Sequence, residues 1–259
     1  MTMMELESAA RLAAEALRII EEAEKKSLVL RACGGVGLLL RLEDRSVMGQ
    51  LGRDPVRDID LVGISEQRAA YRRFFDDLDY EVDRDLLIAA EGKRYAFQSR
   101  EDPALQVDLF IDRLDMCHSI QFRSRMSLHP HTIPLADILL QKLQIVKPTR
   151  KDVVDVAALL ATHELDSGEP GGLDVAYICR LLADDWGFCY TVTTNLDRLE
   201  EQLAELALDP SLRDSVRRRL GELRSRIEQT PKSRGWRLRA RIGTKKKWYQ
   251  DVGEGTEAF

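Results

Sequence analysis

The sequence has no CxxC pair. Its four cysteines, Cys33, Cys117, Cys179 and Cys189, are scattered along 259 residues. That spacing suits neither a zinc site nor a disulfide framework, and predicts buried thiols in a reducing cytoplasm. The chain also has no apolar run near the roughly 20 residues that span a bilayer. Its first residues are acidic and helix-like, with no basic stretch leading into an apolar one, so neither a membrane partner nor a secretory signal is expected. No internal repeat and no low-complexity tract is present. The four histidines, His118, His129, His131 and His163, form no HxxxH or HExxH pattern. His129-Pro-His131 reads as a surface loop in preference to a metal pair.

What is there is an ordinary globular composition, 44% hydrophobic and 32% charged. The length allows one large or two small domains with a core of their own. The net charge of −5 conceals an asymmetry, because residues 211–250 carry 14 Lys and Arg against three acids. Regions of opposite sign point to an anionic partner for the C-terminal part, nucleic acid foremost, with a solvated helix face as the plainer reading.

Hydrophobic periodicity predicts a mixed first half and a helical second half. A helix over 4–26, with Leu6, Ala9, Ala13, Leu17 and Ile20 at helical spacing, leads to a strand over 28–33. Gly34-Gly35 then opens an apolar helix reaching Leu42, and a polar loop follows over 43–55. Strands are expected over 57–62, 80–82, 94–98, 106–111 and 117–122, with a helix over 66–78 and turn-like segments between the later strands. Beyond Pro134 the pattern is helical, over 135–146, 152–163, 173–183, 190–207 and 212–228, with a loop at 168–172. The expected class is α+β, a mixed sheet with helices followed by a helical C-terminal domain. The expected division is 1–134 for a catalytic core, 135–229 for a helical domain and 230–259 for a basic tail bearing Trp236, Trp248 and Tyr249.

The most informative segment is Asp58-Ile-Asp60. Residues two apart on a strand point to one face, so both carboxylates project together while Ile59 and Leu61 face the core. Like charges that close require a cation or strong donors, and hard oxygen ligands suit Mg²⁺ with substrate phosphates as further ligands. Asp108 lies in the apolar run Gln106-Val-Asp-Leu-Phe-Ile111, which predicts a central strand. A buried carboxylate there needs a partner, and a third ligand beside Asp58 and Asp60 would complete a two-metal clamp. Asp112 and Asp115 read as surface residues at that strand's end. Glycines at 34 and 35 would let the backbone approach phosphate oxygens at a helix N-terminus, or form a plain tight turn.

A Gly-Gly strand–helix turn, a DxD strand and a later single Asp on a strand together resemble the nucleotidyltransferase superfamily. Leu135-Ala-Asp-Ile-Leu-Leu-Gln-Lys-Leu143 followed by Lys151-Asp-Val-Val-Asp-Val156 resembles its AbiEii-type branch, which includes toxins of toxin–antitoxin systems. The resemblance covers about residues 28–165. It implies a nucleotidyltransferase fold in which Gly34, Gly35, Asp58 and Asp60 form the first motif and Asp108 is the third carboxylate. It further implies Lys142 at the triphosphate and Asp152 or Asp155 as the last motif's aspartate. The loop from Gly35 to Asp58 is longer than in compact members, and Gly35 stands where many have serine. The implied activity is Mg²⁺-dependent transfer of a nucleotide from a nucleoside triphosphate such as ATP to a hydroxyl. The acceptor would be RNA, tRNA-like, with an antitoxin protein as a further partner. The alternatives are a small-molecule or protein nucleotidylyltransferase, or a non-catalytic module of the same fold that binds nucleic acid or a partner. Read from sequence, Asp152 could equally cap its helix, and Lys142 could be an exposed lysine contributing little to stability.

Overall fold

The computed structural model describes residues 3–166 and 171–251, with side chains from Ser8 onward. Leu6 and residues 168–170 of the expected loop therefore lie outside the described side chains and residues. Five strands build the main sheet: β1 (Leu30–Ala32), β2 (Ile59–Gly63), β3 (Tyr80–Val82), β4 (Arg94–Ser99) and β5 (Gln106–Ile111). Their order is β1-β2-β5-β4-β3. Only β2 and β5 pair in parallel; the other three pairs are antiparallel, so the sheet is mixed.

β5 occupies the centre of this sheet, as the apolar neighbours of Asp108 predict. The β2–β5 register sets Asp60 directly beside Asp108. Side chains in register share a face, and alternation along each strand gives the other face to Ile59, Leu61, Val107 and Leu109, all fully buried. Helices α1 (Met3–Lys25), α2 (Gly34–Arg41), α3 (Ser46–Gln50), α4 (Arg68–Asp77) and α5 (Arg84–Ala89) surround the sheet. α1 and α4 cover the apolar face, where Ala16, Ile19, Ile20, Phe74 and Phe75 join Leu61 and Leu109 in one cluster.

Val62 and Phe110, on the same face as the two aspartates, belong to a larger cluster that extends through the helical half. That half contains α6 (Leu135–Leu143), α7 (Arg150–Thr162), α8 (Val175–Asp184), α9 (Trp186–Gln202), α10 (Pro210–Gln229) and α11 (Arg234–Ile242). The cluster draws on both sides of residue 134, from Leu38 and Val47 to Leu223 and Ile227. Among the described residues no helix is long and apolar enough to cross a membrane. All four cysteines are free and buried.

Several local expectations are corrected. The polar loop at 43–55 contains α3, whose Val47 and Met48 are buried. The turn-like stretch after β3 contains α5, started by Asp83, whose carboxylate accepts from the Asp85 and Leu86 amides. Residues 117–122 do not add a strand to the main sheet. Instead β6 (Arg113–Asp115) and β7 (Ser119–Gln121) form a separate antiparallel hairpin. β8 (Leu165–Asp166) and β9 (Leu173–Asp174) pair in parallel around the expected loop. α9 starts earlier than expected, because the Asp185 carboxylate accepts from the Phe188 amide and caps it. Residues 230–251, expected as a basic tail, instead form α11 and fold back on the helical half. Trp236 packs against the larger cluster, and Trp248 meets Trp186 and Tyr190 edge-on at 6.5 and 5.1 Å.

Candidate active site

Asp58, Asp60 and Asp108 converge. One carboxylate oxygen from each lies within 4.8 Å of the other two, and no other such group of three exists among the described residues. Asp58 precedes β2 and is half-buried, whereas Asp60 and Asp108 are only 6% and 9% exposed. Asp108 is not left bare. Arg94, from the neighbouring β4, donates to both its oxygens at 3.1 and 2.9 Å. Asp60 has no such help, and its buried Oδ1 accepts no hydrogen bond. Burial, then the charges of Asp58 and Asp108, push its carboxyl well above the ordinary range. Burial and Asp108 push Asp58 up as well. A buried carboxylate with one oxygen lacking any donor, beside two further carboxylates, is what a divalent cation would resolve, and an all-oxygen donor set suits Mg²⁺.

The glycine turn is built to that aspartate. Gly34 has φ +56°, and a Cβ placed there would sit 2.0 Å from Asp60 Oδ2. The Gly34 amide donates to Gln141 Oε1 at 2.9 Å, and the Cys33 amide donates to the Asp60 carbonyl. Gly34→Ala should therefore displace the Asp60 carboxylate and weaken cation binding at least tenfold, with a stability cost of about 1–3 kcal/mol for the left-handed backbone. Calorimetric titration with Mg²⁺ and Mn²⁺ checks this; unaltered affinity would mean that the close approach has no role in the site.

Gly34, Gly35, Asp58 and Asp60 line a cavity of about 520 Å³ together with Gln141, Lys142 and Asp152. Asp108 is not among the lining residues. Phe110, Leu114, Met116, Ile145 and Val146 form an apolar part of the wall, and Tyr249, Gln250 and Asp251 complete it. The volume falls within the usual range for small-molecule sites.

Lys142 does line the cavity, but as one member of a buried charge cluster. Its Nζ lies 2.9 Å from Asp155 Oδ2 and 3.8 Å from Asp152 Oδ1, and its side chain is only 10% exposed. The expectation of an exposed lysine is corrected: α7 lies across the last turn of α6 and closes over it. Asp155 is fully buried, is not part of the cavity wall, and receives Arg53 Nε at 2.7 Å and Nη2 at 3.1 Å. Burial opposes the charge on each partner. The opposite charges outweigh it, so Asp155 is held below and Lys142 above the usual value. Asp152 caps α7, its Oδ2 accepting from the Thr149 amide and hydroxyl at 2.9 and 2.8 Å, while also lining the cavity.

Sequence reasoning missed several groups here. Arg94 and Arg53 hold Asp108 and Asp155, and Gln141 holds the glycine turn, through long-range pairings that no local pattern reveals. Arg57, Lys147 and Lys151 also line the cavity, with no ion-pair partner among the described residues. Their signal was available, since Arg57 adjoins Asp58 and the other two flank Pro148-Thr-Arg150. His129 Nδ1 accepts from the His131 and Thr132 amides.

No protein-family model and no curated protein matches this chain. Among solved structures, it is similar to the antibiotic-resistance factor ANT(2'')-Ia, an aminoglycoside nucleotidyltransferase, studied in solution for its substrate-regulated conformation dynamics. That likeness has a TM-score of 0.35 and 13% identity, covering 58% of this chain and 83% of the other. A likeness so slight carries no argument about fold or function.

Proposed function

We propose that this chain is a metal-dependent nucleotidyltransferase that moves a nucleotide from a nucleoside triphosphate to a hydroxyl. The observation that carries the reading is the convergence of Asp60 and Asp108, on parallel neighbouring strands, with Asp58 just before the first of them, and with one buried Asp60 oxygen unpartnered. These three carboxylates would hold Mg²⁺, which when bound supplies charge neutralisation at the phosphates and acidifies the attacking hydroxyl. Gly34 and Gly35 line the cavity at the start of α2, where Gly34 lets the backbone close on the Asp60 carboxylate. Arg57, Lys147 and Lys151 are the cations free to balance the triphosphate, with Lys142 at the cavity wall beside them. Asp58, half-buried and raised in pKa, is suited to accept the hydroxyl proton. Asp108 would first have to loosen its Arg94 pair.

For the acceptor, RNA is supported by Arg234, Arg237, Arg241, Lys245 and Lys246, which are exposed and make no ion pair among the described residues. A small-molecule hydroxyl is the second reading, favoured by the limited volume of the cavity. The motif resemblance alone carries the further idea of a cytoplasmic toxin restrained by an antitoxin protein. The experiment is incubation with each α-labelled nucleoside triphosphate, Mg²⁺ and either total RNA or a panel of small polyols and aminoglycosides. Label should enter one acceptor class with release of pyrophosphate. Absence of transfer and of pyrophosphate release in every combination would refute the reading.

A further inference from the structure

We propose that residues 249–251 form the nucleobase wall of the cavity, and that Tyr249 stacks on the base of the bound nucleoside triphosphate. This inference rests on the nucleotidyltransferase reading and adds to it the element that holds the base.

The segment is fixed on both sides of Tyr249. On one side the Trp248 indole donates to Thr191 Oγ1 at 3.1 Å and packs edge-on against Trp186 and Tyr190 of α9. Gly187 makes this approach possible, since a Cβ there would lie 2.6 Å from the Trp248 carbonyl oxygen. On the other side the Gln250 amide donates to the Cys117 carbonyl at 3.0 Å, tying the segment to the β6–β7 hairpin. Arg239 secures the approach to it. Its guanidinium lies over the Trp186 ring at 4.5 Å and donates to the Gly243 and Lys246 carbonyls, both at 2.7 Å. So many anchors on so short a stretch hold its backbone in place without using the Tyr249 side chain.

Tyr249 is half-buried and lines the cavity. Among the described residues, its ring makes an edge-type contact with Trp248 at 5.2 Å and a cation–π contact with the Lys247 ammonium at 5.0 Å. Its hydroxyl makes no hydrogen bond among the described residues. Phe110, Met116 and Ile145 continue an apolar wall beside it, while Gly34, Asp58 and Asp60 provide the polar one. A nucleoside triphosphate has the same division, a flat, weakly polar ring joined to a polyanion. Stacking on an aromatic ring is strong and tolerant of base identity, which suits a wall with so few directional groups.

The test uses the full chain and compares Tyr249→Ala with Tyr249→Phe and Tyr249→Trp. Calorimetry with Mg²⁺ measures binding of a non-hydrolysable nucleoside triphosphate and, separately, of inorganic tripolyphosphate. Tyr249→Ala should weaken the nucleotide about 10- to 100-fold and raise its KM with little change in kcat, while tripolyphosphate affinity stays as in the wild type. The Phe and Trp variants should restore nucleotide binding, and thermal melting should be alike in all four proteins. The proposal is overturned if nucleotide affinity is unaltered, if both ligands weaken equally, or if only the KM of the acceptor rises. A wild-type protein that binds tripolyphosphate but no nucleotide tighter than it would also overturn the base wall while leaving the metal centre intact. Binding of neither ligand would instead remove the reading on which the proposal rests.

Discussion

Asp60→Asn should make the metal-free protein more stable and catalytically inert. In the native chain this carboxylate is 6% exposed, leaves Oδ1 without a hydrogen bond and stands beside two further carboxylates. An amide of the same shape removes a buried charge and offers N–H donors to Asp58 and Asp108. A gain of about 1–2 kcal/mol would raise the melting temperature by roughly 2–8 °C in a chain of this size. Mg²⁺ should stabilise the wild type and do little for the variant, because ligand-linked stability scales with the affinity for the folded state. Nucleotide transfer should fall about a thousandfold or more, the scale expected when charge stabilisation at the reacting phosphate is lost. Melting curves with and without Mg²⁺, paired with the labelling assay, check both parts. A variant less stable than the wild type in the absence of metal would show that the three carboxylates are neutralised by means other than a cation.

The sign of the pH dependence follows from the same geometry. Asp58 and Asp60 have folded-state pKa values raised above the ordinary carboxylate range. Their neutral forms therefore favour the folded metal-free protein at pH below the unfolded value, and that contribution is lost as pH rises through the folded one. Metal-free stability should fall as pH rises from the unfolded carboxylate value through the folded ones. Affinity for Mg²⁺ should rise over the same interval, with protons released on binding.

Much of this site was legible in the sequence because it is local. The alternation around Asp58-Ile-Asp60 depends only on strand geometry, and the apolar flanks of Asp108 indicate a central strand. That β2 and β5 are parallel neighbours in register is a long-range fact, and so is the approach of Gly34 to Asp60. Nothing within a few residues of Lys142 shows that Asp155 and Arg53 would enclose it, since a lysine between Gln141 and Leu143 reads the same when exposed. The C-terminal segment was misjudged for a related reason. A run rich in Lys and Arg looks solvated, yet its three aromatics supply enough apolar surface to dock, and Arg239 turns its charge inward onto backbone carbonyls. Short helices such as α3 and α5 escape periodicity altogether, because one or two turns do not repeat a pattern.

Asp155→Asn should destabilise the protein by about 3–5 kcal/mol, the cost of breaking a buried ion pair by removing one partner. This aspartate is fully buried and is the anion shared by Arg53 and Lys142, whose side chains are 6% and 10% exposed. Neutralising it leaves two cations facing each other, with Asp152 at 3.8 Å from Lys142 as the carboxylate still paired with that lysine. Asp155 has its pKa held low, so its contribution is present above the unfolded value and is lost as pH falls through the folded one. Lys142 has its pKa held high, so its contribution is present below the unfolded value and is lost as pH rises through the folded one. The cluster should accordingly support the fold across the whole neutral range. Lys142→Met should cost less than Asp155→Asn, because Asp155 keeps its paired contact with Arg53. Replacing Arg53 and Lys142 by Met and Asp155 by Leu together should recover much of the loss, as apolar substitutes for buried ion pairs often do. Urea denaturation of the three proteins measures these differences, and the triple variant then separates two roles for Lys142. If it folds and still binds tripolyphosphate with Mg²⁺, the lysine serves α6–α7 packing alone; if it folds and binding falls more than tenfold, Lys142 reaches the triphosphate despite its pairing. An Asp155→Asn protein as stable as the wild type would show that water or Asp152 neutralises both cations, and that the cluster holds nothing in place.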